Sequence, residues 1–317
     1  MHLLDRLLAF VLPRGTFFSA GWGEEALLVN HVSEELAAAP APIDIAWKGS
    51  RREGGLVVRD GDFESPDTRL PPEARVGGVR LLAPASGARH GAVVLLAATG
   101  DQGFAARTSF ARPLALNGLV AVLPETPFYG RRRRAGQRGM APLTVSDLIV
   151  MVVAGAHEAR ALLARFRAEG LARLGVVGYS MGGNMAALVA SSVPFEVAAV
   201  PMAPTCSPAP VFTEGLLRSF PNLRALGKAA DADAARARLR ARLSPFDVTC
   251  LPPPRAPRAA IVVGARRDGF VPPSEAERLA RHWGAELRWL DAGHVSAVAF
   301  HQAELRKAVS DAFARLG

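Results

Sequence analysis

An α/β fold, with a mostly parallel central sheet and helices on both faces, is predicted by three observations on the sequence. From about residue 76 onward, short apolar runs alternate with longer segments of helical period, which is the pattern of a parallel sheet connected by helices. The run at 91–96 is apolar throughout, as a strand buried on both faces requires. With 317 residues, of which 50% are hydrophobic, the chain can form one large core without disulfides or metals.

Seven strands are predicted, at residues 79–83, 92–97, 119–123, 174–178, 197–202, 259–264 and 285–290. Helices are predicted at 146–169 with Thr144 or Ser146 as the N-cap, directly after Ser180, after Pro272, and at 297–316.

The remaining segments are interpreted as additions to this sheet. Residues 1–75 are predicted to be an extension of mixed helix and turn that packs on the core formed by residues 76–317. The 56 residues at 203–258 are too many for an ordinary connection between two strands. They indicate a cap insertion, which would overhang one end of the sheet.

The basic charge of the chain does not mark a nucleic-acid-binding protein. The formal net charge is +9, but 35 of the 38 basic residues are Arg, spread along the chain together with Ala, Gly and Pro. We therefore expect no nucleic-acid partner. A positive field would still favour anionic substrates or anionic membrane surfaces.

The N-terminal segment and the cysteines exclude further classes. The apolar run at 3–12 is interrupted by Asp5 and Arg6, and no stretch reaches the roughly 18 apolar residues of a membrane span. We expect an amphipathic helix in a soluble, cytoplasmic protein, with peripheral contact to an anionic membrane as the alternative. Cys206 and Cys250 are too few for a disulfide framework and lack zinc spacing, so free thiols and no metal are expected.

Residues 178–182 read Gly-Tyr-Ser-Met-Gly and match G-x-S-x-G, a sharp turn that exposes a serine hydroxyl between a strand and a helix. An apolar strand run precedes the turn, and a helix-forming run follows it. The two flanking glycines avoid the Cβ clash that a close approach of helix and strand would create. Ser180 is therefore the candidate nucleophile.

A serine hydroxyl becomes a nucleophile when a histidine, itself held by a carboxylate, takes its proton. His294 is the candidate base, because the other six histidines either precede the serine or lie inside predicted helices. Asp268 follows a buried strand 26 residues earlier, which gives the expected chain order of Ser, Asp and His. Asp291 is too local to orient His294, and Asp247 lies in the predicted cap.

The oxyanion of a tetrahedral intermediate needs two N–H donors. We expect the first from Met181, the residue after the nucleophile. The second is expected from the loop after strand 92–97, at Asp101 or alternatively Gln102, with the Asp101 carboxylate pointing away toward backbone N–H groups or an Arg. The residues expected to contact substrate are Tyr129, Tyr179 and Phe212.

Further motifs are spread over nearly the whole chain, at residues 21–23, 65–66, 99–101, 128–130, 145–148, 180–183, 211–215 and 293–296. Together they resemble the α/β-hydrolase family named after abhydrolase domain-containing protein eighteen. The resemblance implies an α/β-hydrolase fold and a serine hydrolase of acyl or lipid-like esters. The chain departs from the family at Gln102, Gly103 and Asn184, which puts substrate identity in doubt more than catalysis.

The resulting prediction is a serine hydrolase, of carboxylesterase or lipase type, that cleaves a small-molecule acyl ester or lipid through an acyl-enzyme. No metal or organic cofactor is expected. The alternatives are a catalytically silent scaffold that binds a ligand or partner, and a membrane-peripheral lipid hydrolase. The four arginines at 131–134 are interpreted as a solvated loop, with an anion site as the alternative.

Overall fold

The computed structural model describes residues 2–11, 13–87, 90–227 and 231–316. The strands are β1 (Ala46–Glu53), β2 (Leu56–Glu64), β3 (Val76–Pro84), β4 (Gly91–Leu96), β5 (Leu119–Pro124), β6 (Leu174–Tyr179), β7 (Ala198–Met202), β8 (Ile261–Ala265) and β9 (Glu286–Leu290). They form one sheet of order β1-β2-β3-β5-β4-β6-β7-β8-β9.

The helices are α1 (Leu3–Val11), α2 (Val32–Glu35), α3 (Pro72–Arg75), α4 (Ala105–Leu116), α5 (Val145–Ala168), α6 (Met181–Ser192), α7 (Pro208–Thr213), α8 (Leu223–Leu226), α9 (Ala232–Leu243), α10 (Pro273–Trp283), α11 (His294–Phe300) and α12 (Gln302–Ala314). Short 3₁₀ turns lie at Glu25–Leu28, Gly130–Arg132, Leu216–Ser219, Ser244–Phe246, Val248–Cys250 and Pro257–Ala259. In the described part of the chain, none of these helices is both long and apolar enough to cross a membrane.

The sheet confirms the predicted fold class. Strands β4 to β9 are parallel where they pair, and the antiparallel pairs are confined to the end formed by β1, β2, β3 and β5. Strands β4 to β8 are buried along their length apart from the partly exposed Tyr179 at the end of β6, because helices cover both faces of the sheet. The seven predicted strands correspond to β3 through β9, with ends that differ by a few residues.

The prediction of only helix and turn in the N-terminal extension was wrong. Strands β1 and β2 form a hairpin there, and its turn contains Gly54 and Gly55 at φ 53° and 80°. β1 is an edge strand whose residues are almost all exposed and partly basic, so it lacks the alternation of apolar residues that marks a half-buried strand.

Two helix predictions have different outcomes. The predicted helix at 146–169 is α5, and Thr144 caps it by accepting a hydrogen bond from the Asp147 N–H. The predicted helix at 297–316 is two helices, because His301 leaves the helical conformation between α11 and α12. The break lets α11 pack against α1 while α12 covers the sheet.

The segment predicted as a cap contains α7, α8 and α9. Its residues 228–230 lie outside the described residues. Helix α7 and the 3₁₀ turn after it pack over the end of the sheet where strands β6 and β8 finish, so this segment borders the site described next.

Candidate active site

Ser180 occupies the turn between β6 and α6 with φ 57° and ψ −117°, a left-handed conformation that non-glycine residues rarely adopt. A Cβ on Gly178 would stand 2.1 Å from the Gly182 carbonyl oxygen, and one on Gly182 would stand 2.5 Å from the Leu96 carbonyl oxygen. Both glycines are therefore required by packing. The Ser180 N–H donates to the Met202 carbonyl at 2.8 Å, which fixes the turn against β7.

His294 and Asp268 form a close pair at the ends of neighbouring strands. Nδ1 of His294 lies 2.6 Å from Oδ2 of Asp268, and the two side chains are 13% and 3% exposed. Oδ1 of the same carboxylate accepts hydrogen bonds of 2.8 Å from the N–H groups of Phe270 and Val271. Asp268 is thus held from one side by the backbone and holds the imidazole on the other.

Asp291 and Asp247, the two carboxylates not predicted to orient His294, lie away from it in other ion pairs. Asp291 is largely exposed and pairs with Arg267 at 3.1 Å. Asp247 pairs with Arg278 at 2.6 Å. Neither of these two ion pairs involves His294.

The aromatic rings around His294 restrict its movement. The centroid of the Tyr179 ring lies 5.1 Å from that of the imidazole, and the centroid of Phe270 lies 5.4 Å from it. The Tyr179 hydroxyl donates to the His294 carbonyl at 2.5 Å. Burial, together with the charges of Asp268 and Asp5, raises the pKa of Tyr179 well above its usual value, so the phenol remains a donor.

A pocket of about 340 Å³ opens over Ser180 and His294, and most of its lining is apolar. The three residues predicted to contact substrate, Tyr129, Tyr179 and Phe212, all line it. The segment at 203–258 contributes Thr205, Pro208, Val211, Phe212 and Leu217 to the wall. The pocket is shaped for an apolar group next to the serine.

The loop after β4 differs from the sequence prediction. The Asp101 carboxylate does turn away, to Nε of Arg107 at 2.6 Å. The Asp101 N–H, however, donates to the Ala98 carbonyl at 3.1 Å in a turn that contains Gly100 at φ 89°. Since this N–H is already used inside the turn, the predicted oxyanion role of Asp101 does not fit the structure, and Ala98 and Thr99 are the residues of this turn that line the pocket.

Gln102, the predicted alternative, does not line the pocket, and its side-chain oxygen accepts from the Gly130 N–H at 3.1 Å. Met181 and Thr99 both line the pocket. Within the described ranges, the N–H groups of these two residues make no hydrogen bond. Both N–H groups are therefore available as donors at the pocket.

A buried carboxylate from α1, whose role is not predicted from the sequence, joins both loops of the His–Asp pair. Asp5 is fully buried and accepts hydrogen bonds from the N–H groups of Gly269, His294 and Val295, at 2.9, 2.8 and 2.9 Å. In the sequence, Asp5 appeared only as an interruption of an apolar run. A carboxylate on a mostly apolar helix was the available signal, since such a residue needs buried partners when that face is packed.

The arginine run at 131–134 does not present four free cations, and Arg132 is fully buried. Ion pairs join Arg131 to Asp62 and Glu125, Arg132 to Glu158, and Arg134 to Asp147. The interpretation as a solvated loop was therefore wrong for Arg132, and these pairings also disfavour an anion site. Cys206 and Cys250 are both free thiols, and no group of three or more potential metal ligands occurs among the described residues.

Comparisons with known proteins agree with the fold described above. The chain is similar in structure to the acetyl xylan esterase from Paenibacillus sp. R4 (14% identity, TM-score 0.58, covering 98% of this chain and 99% of that one). It is also similar to acetyl xylan esterase 1 from Thermoanaerobacterium sp. JW/SL YS485 (15%, 0.59, 98% and 99%) and to esterase Est22 (18%, 0.52, 83% and 82%). These likenesses show the α/β-hydrolase fold. Residues 15–233 and 222–315 match the family described as alpha/beta hydrolase domain containing 18, and the chain therefore belongs to that family.

Proposed function

We propose that this protein hydrolyses carboxylic esters through an acyl-enzyme, with Ser180 as nucleophile, His294 as general base and Asp268 as the residue that orients it. One observation carries the proposal. His294, whose Nδ1 lies 2.6 Å from Asp268, lines the same apolar pocket as a serine held at φ 57° on a strand-to-helix turn.

In the proposed acylation step, Oγ of Ser180 attacks the ester carbonyl carbon while its proton passes to Nε2 of His294. Asp268 supports this transfer, because a carboxylate on Nδ1 keeps that nitrogen protonated and stabilises the imidazolium that forms. Collapse of the tetrahedral intermediate breaks the ester C–O bond, and the imidazolium returns the proton to the leaving alcohol. Water then attacks the acyl-enzyme with His294 again as base, which releases the acid and restores Ser180.

The oxyanion of each intermediate would be bound by the N–H groups of Met181 and Thr99. Their unpaired state supports this assignment, since an N–H that is already hydrogen-bonded cannot serve as a preorganised donor. Met181 begins α6, so the partial positive charge of the helix N-terminus also favours the developing negative charge. Thr99 takes the role that the sequence analysis gave to Asp101.

Labelling of the wild-type protein with a fluorophosphonate, followed by peptide mapping, tests this proposal together with hydrolysis of p-nitrophenyl esters. Attachment at Ser180 and ester turnover are expected. A folded protein that is neither labelled nor active would instead be the catalytically silent scaffold considered from the sequence.

We further propose that the cap at 203–258 selects the acyl chain, and Phe212 provides its test. The Phe212 ring lines the pocket and packs against Phe17 and Phe18 at centroid distances of 5.2 Å each. Phe212→Ala should enlarge the acyl site and shift the ratio of kcat/KM for long over short p-nitrophenyl esters by about tenfold or more.

Phe220→Ala is the matched control for this shift. Phe220 is a buried aromatic of the same segment, but it does not line the pocket. Both substitutions should lower the melting temperature, because each leaves a cavity. If both variants fold and keep the wild-type chain preference, the cap does not set acyl selectivity.

Peripheral membrane contact is a second candidate property, and the outer face of α1 favours it. Leu3, Leu7, Phe10 and Val11 are 65%, 52%, 82% and 71% exposed, while the inward-facing Asp5 is fully buried. This reverses the usual arrangement, in which a surface helix turns its apolar stripe inward. Leu8 of the same helix and Val298 of α11 line the pocket, so the apolar face adjoins the pocket mouth.

Flotation with vesicles that contain phosphatidylglycerol tests this property. Phe10→Ser should lower the vesicle-binding constant about tenfold. The reason is that a phenyl ring buried in the membrane interface contributes favourable binding free energy, which the serine side chain does not. Leu116→Ser is the control, since Leu116 is a 50% exposed leucine on α4. Equal binding by both variants and the wild type would rule out docking through α1.

A further inference from the structure

We propose that Asp5 is a positioning residue for catalysis, which sets the relative placement of His294 and Asp268 by binding the backbone of both loops. This inference rests on the esterase function proposed above. It assigns to α1 a role in the chemistry, which neither the motif at Ser180 nor the order of the triad residues predicts.

The three hydrogen bonds of Asp5 join two separate loops. Oδ2 accepts from the Gly269 N–H at 2.9 Å and from the His294 N–H at 2.8 Å, so a single oxygen bridges the loop after β8 and the loop after β9. Oδ1 accepts from the Val295 N–H at 2.9 Å. Gly269 directly follows Asp268 in the chain, and His294 is itself the candidate base. Asp5 therefore holds the backbone on both sides of the 2.6 Å pair.

A carboxylate is the side chain that suits this place. Three N–H groups converge on it, and an ionised carboxylate offers acceptors only. The N–H groups of His294 and Val295 are at the start of α11, where a negative charge is also favoured by the helix dipole. Since Asp5 is fully buried, water does not compete for these contacts.

The expected effect of loosening this bridge is on turnover rather than on binding. Asp5 does not line the pocket, so it has no direct contact through which to change substrate affinity. A shift of one loop by about 1 Å would misalign His294 with Ser180 or Asp268, and such misplacement costs on the order of 10²-fold in rate. The protein would remain able to fold, because the loops keep their own strand and helix contacts.

Asp5→Asn is the first test. One oxygen becomes an NH₂ group, which cannot accept, so the variant must lose either the Val295 bond or the bridge through Oδ2. We expect kcat for p-nitrophenyl butyrate to fall on the order of 10²-fold with KM nearly unchanged. The low-field proton NMR resonance of the hydrogen bond between His294 and Asp268 should also shift or broaden.

Gly293→Ala tests the same contact from the opposite side. Gly293 has φ −86°, which alanine adopts freely, but the new Cβ would stand 2.8 and 2.9 Å from the two Asp5 carboxylate oxygens and 2.2 Å from the His2 Cβ. The methyl group must therefore push α1 away from the loop. The same fall in kcat is expected although Asp5 itself is intact, so this variant decides the matter if Asp5→Asn does not fold.

Asp67→Asn is the matched control, because Asp67 is a 4% exposed carboxylate that binds Arg69 and His157 outside the pocket. It should lower the melting temperature without changing kcat or the proton resonance. Wild-type kcat and resonance in either folded test variant, or an equal loss of kcat in Asp67→Asn, would overturn the role of Asp5. Absence of ester turnover and Ser180 labelling in the wild type would contradict the esterase function instead, and the resonance would still report on the bridge.

Discussion

Ser180→Ala is expected to lower kcat for p-nitrophenyl esters on the order of 10⁶-fold and to abolish fluorophosphonate labelling. The reason is chemical, since alanine has no oxygen that can form the acyl-enzyme. Folding should be almost unaffected. Alanine and serine meet the same strain at φ 57°, and the N–H that donates to the Met202 carbonyl is kept.

Two comparisons make this expectation specific. Ser50→Ala alters an exposed serine on β1, far along the chain from the turn, and should leave both labelling and turnover at the wild-type level. Adding His294→Ala to Ser180→Ala should slow the reaction no further, because the members of a triad act as a unit. Persistent labelling of Ser180→Ala, or a double variant much slower than Ser180→Ala, would show that another nucleophile or base operates.

The parts of the site that could be predicted from sequence are those in which local pattern and chain order coincide. Ser180 lies in a short motif whose glycines are demanded by contacts within a few residues or with the adjacent strand. Asp268 and His294 each follow a buried strand of the parallel sheet, and the ends of such strands meet at one edge. For these residues, position in the chain was sufficient to predict position in space.

The parts that could not be predicted depend on contacts between distant segments or on the direction of a single N–H bond. Asp5 meets its partners across 264 to 290 residues of sequence, and nothing near it indicates which backbone groups it binds. The choice between Asp101 and Thr99 depends on the closure of one tight turn by the Ala98 carbonyl. Arg132 is similar, because its burial against Glu158 is invisible in a run of four arginines.

Asp268→Asn is expected to lower kcat on the order of 10⁴-fold while leaving the fold intact. The two N–H groups of Phe270 and Val271 select the orientation of the new amide, because they need the acceptor oxygen at the Oδ1 position. The NH₂ group then faces Nδ1 of His294 at the former Oδ2 position. Two donors cannot share that contact, so Nδ1 must become the acceptor and the ring proton must move to Nε2.

In this tautomer, Nε2 cannot take the proton of Ser180, and the charge that balanced the imidazolium is also gone. The fall should therefore appear in kcat and in the rate of fluorophosphonate labelling, with a melting temperature close to that of the wild type. Asp291→Asn is the matched control, because Asp291 is three residues from His294 but pairs with Arg267 at the surface, and its substitution should leave turnover unchanged. If Asp291→Asn or Asp247→Asn proved more damaging to turnover than Asp268→Asn, the orienting carboxylate would have to be reassigned.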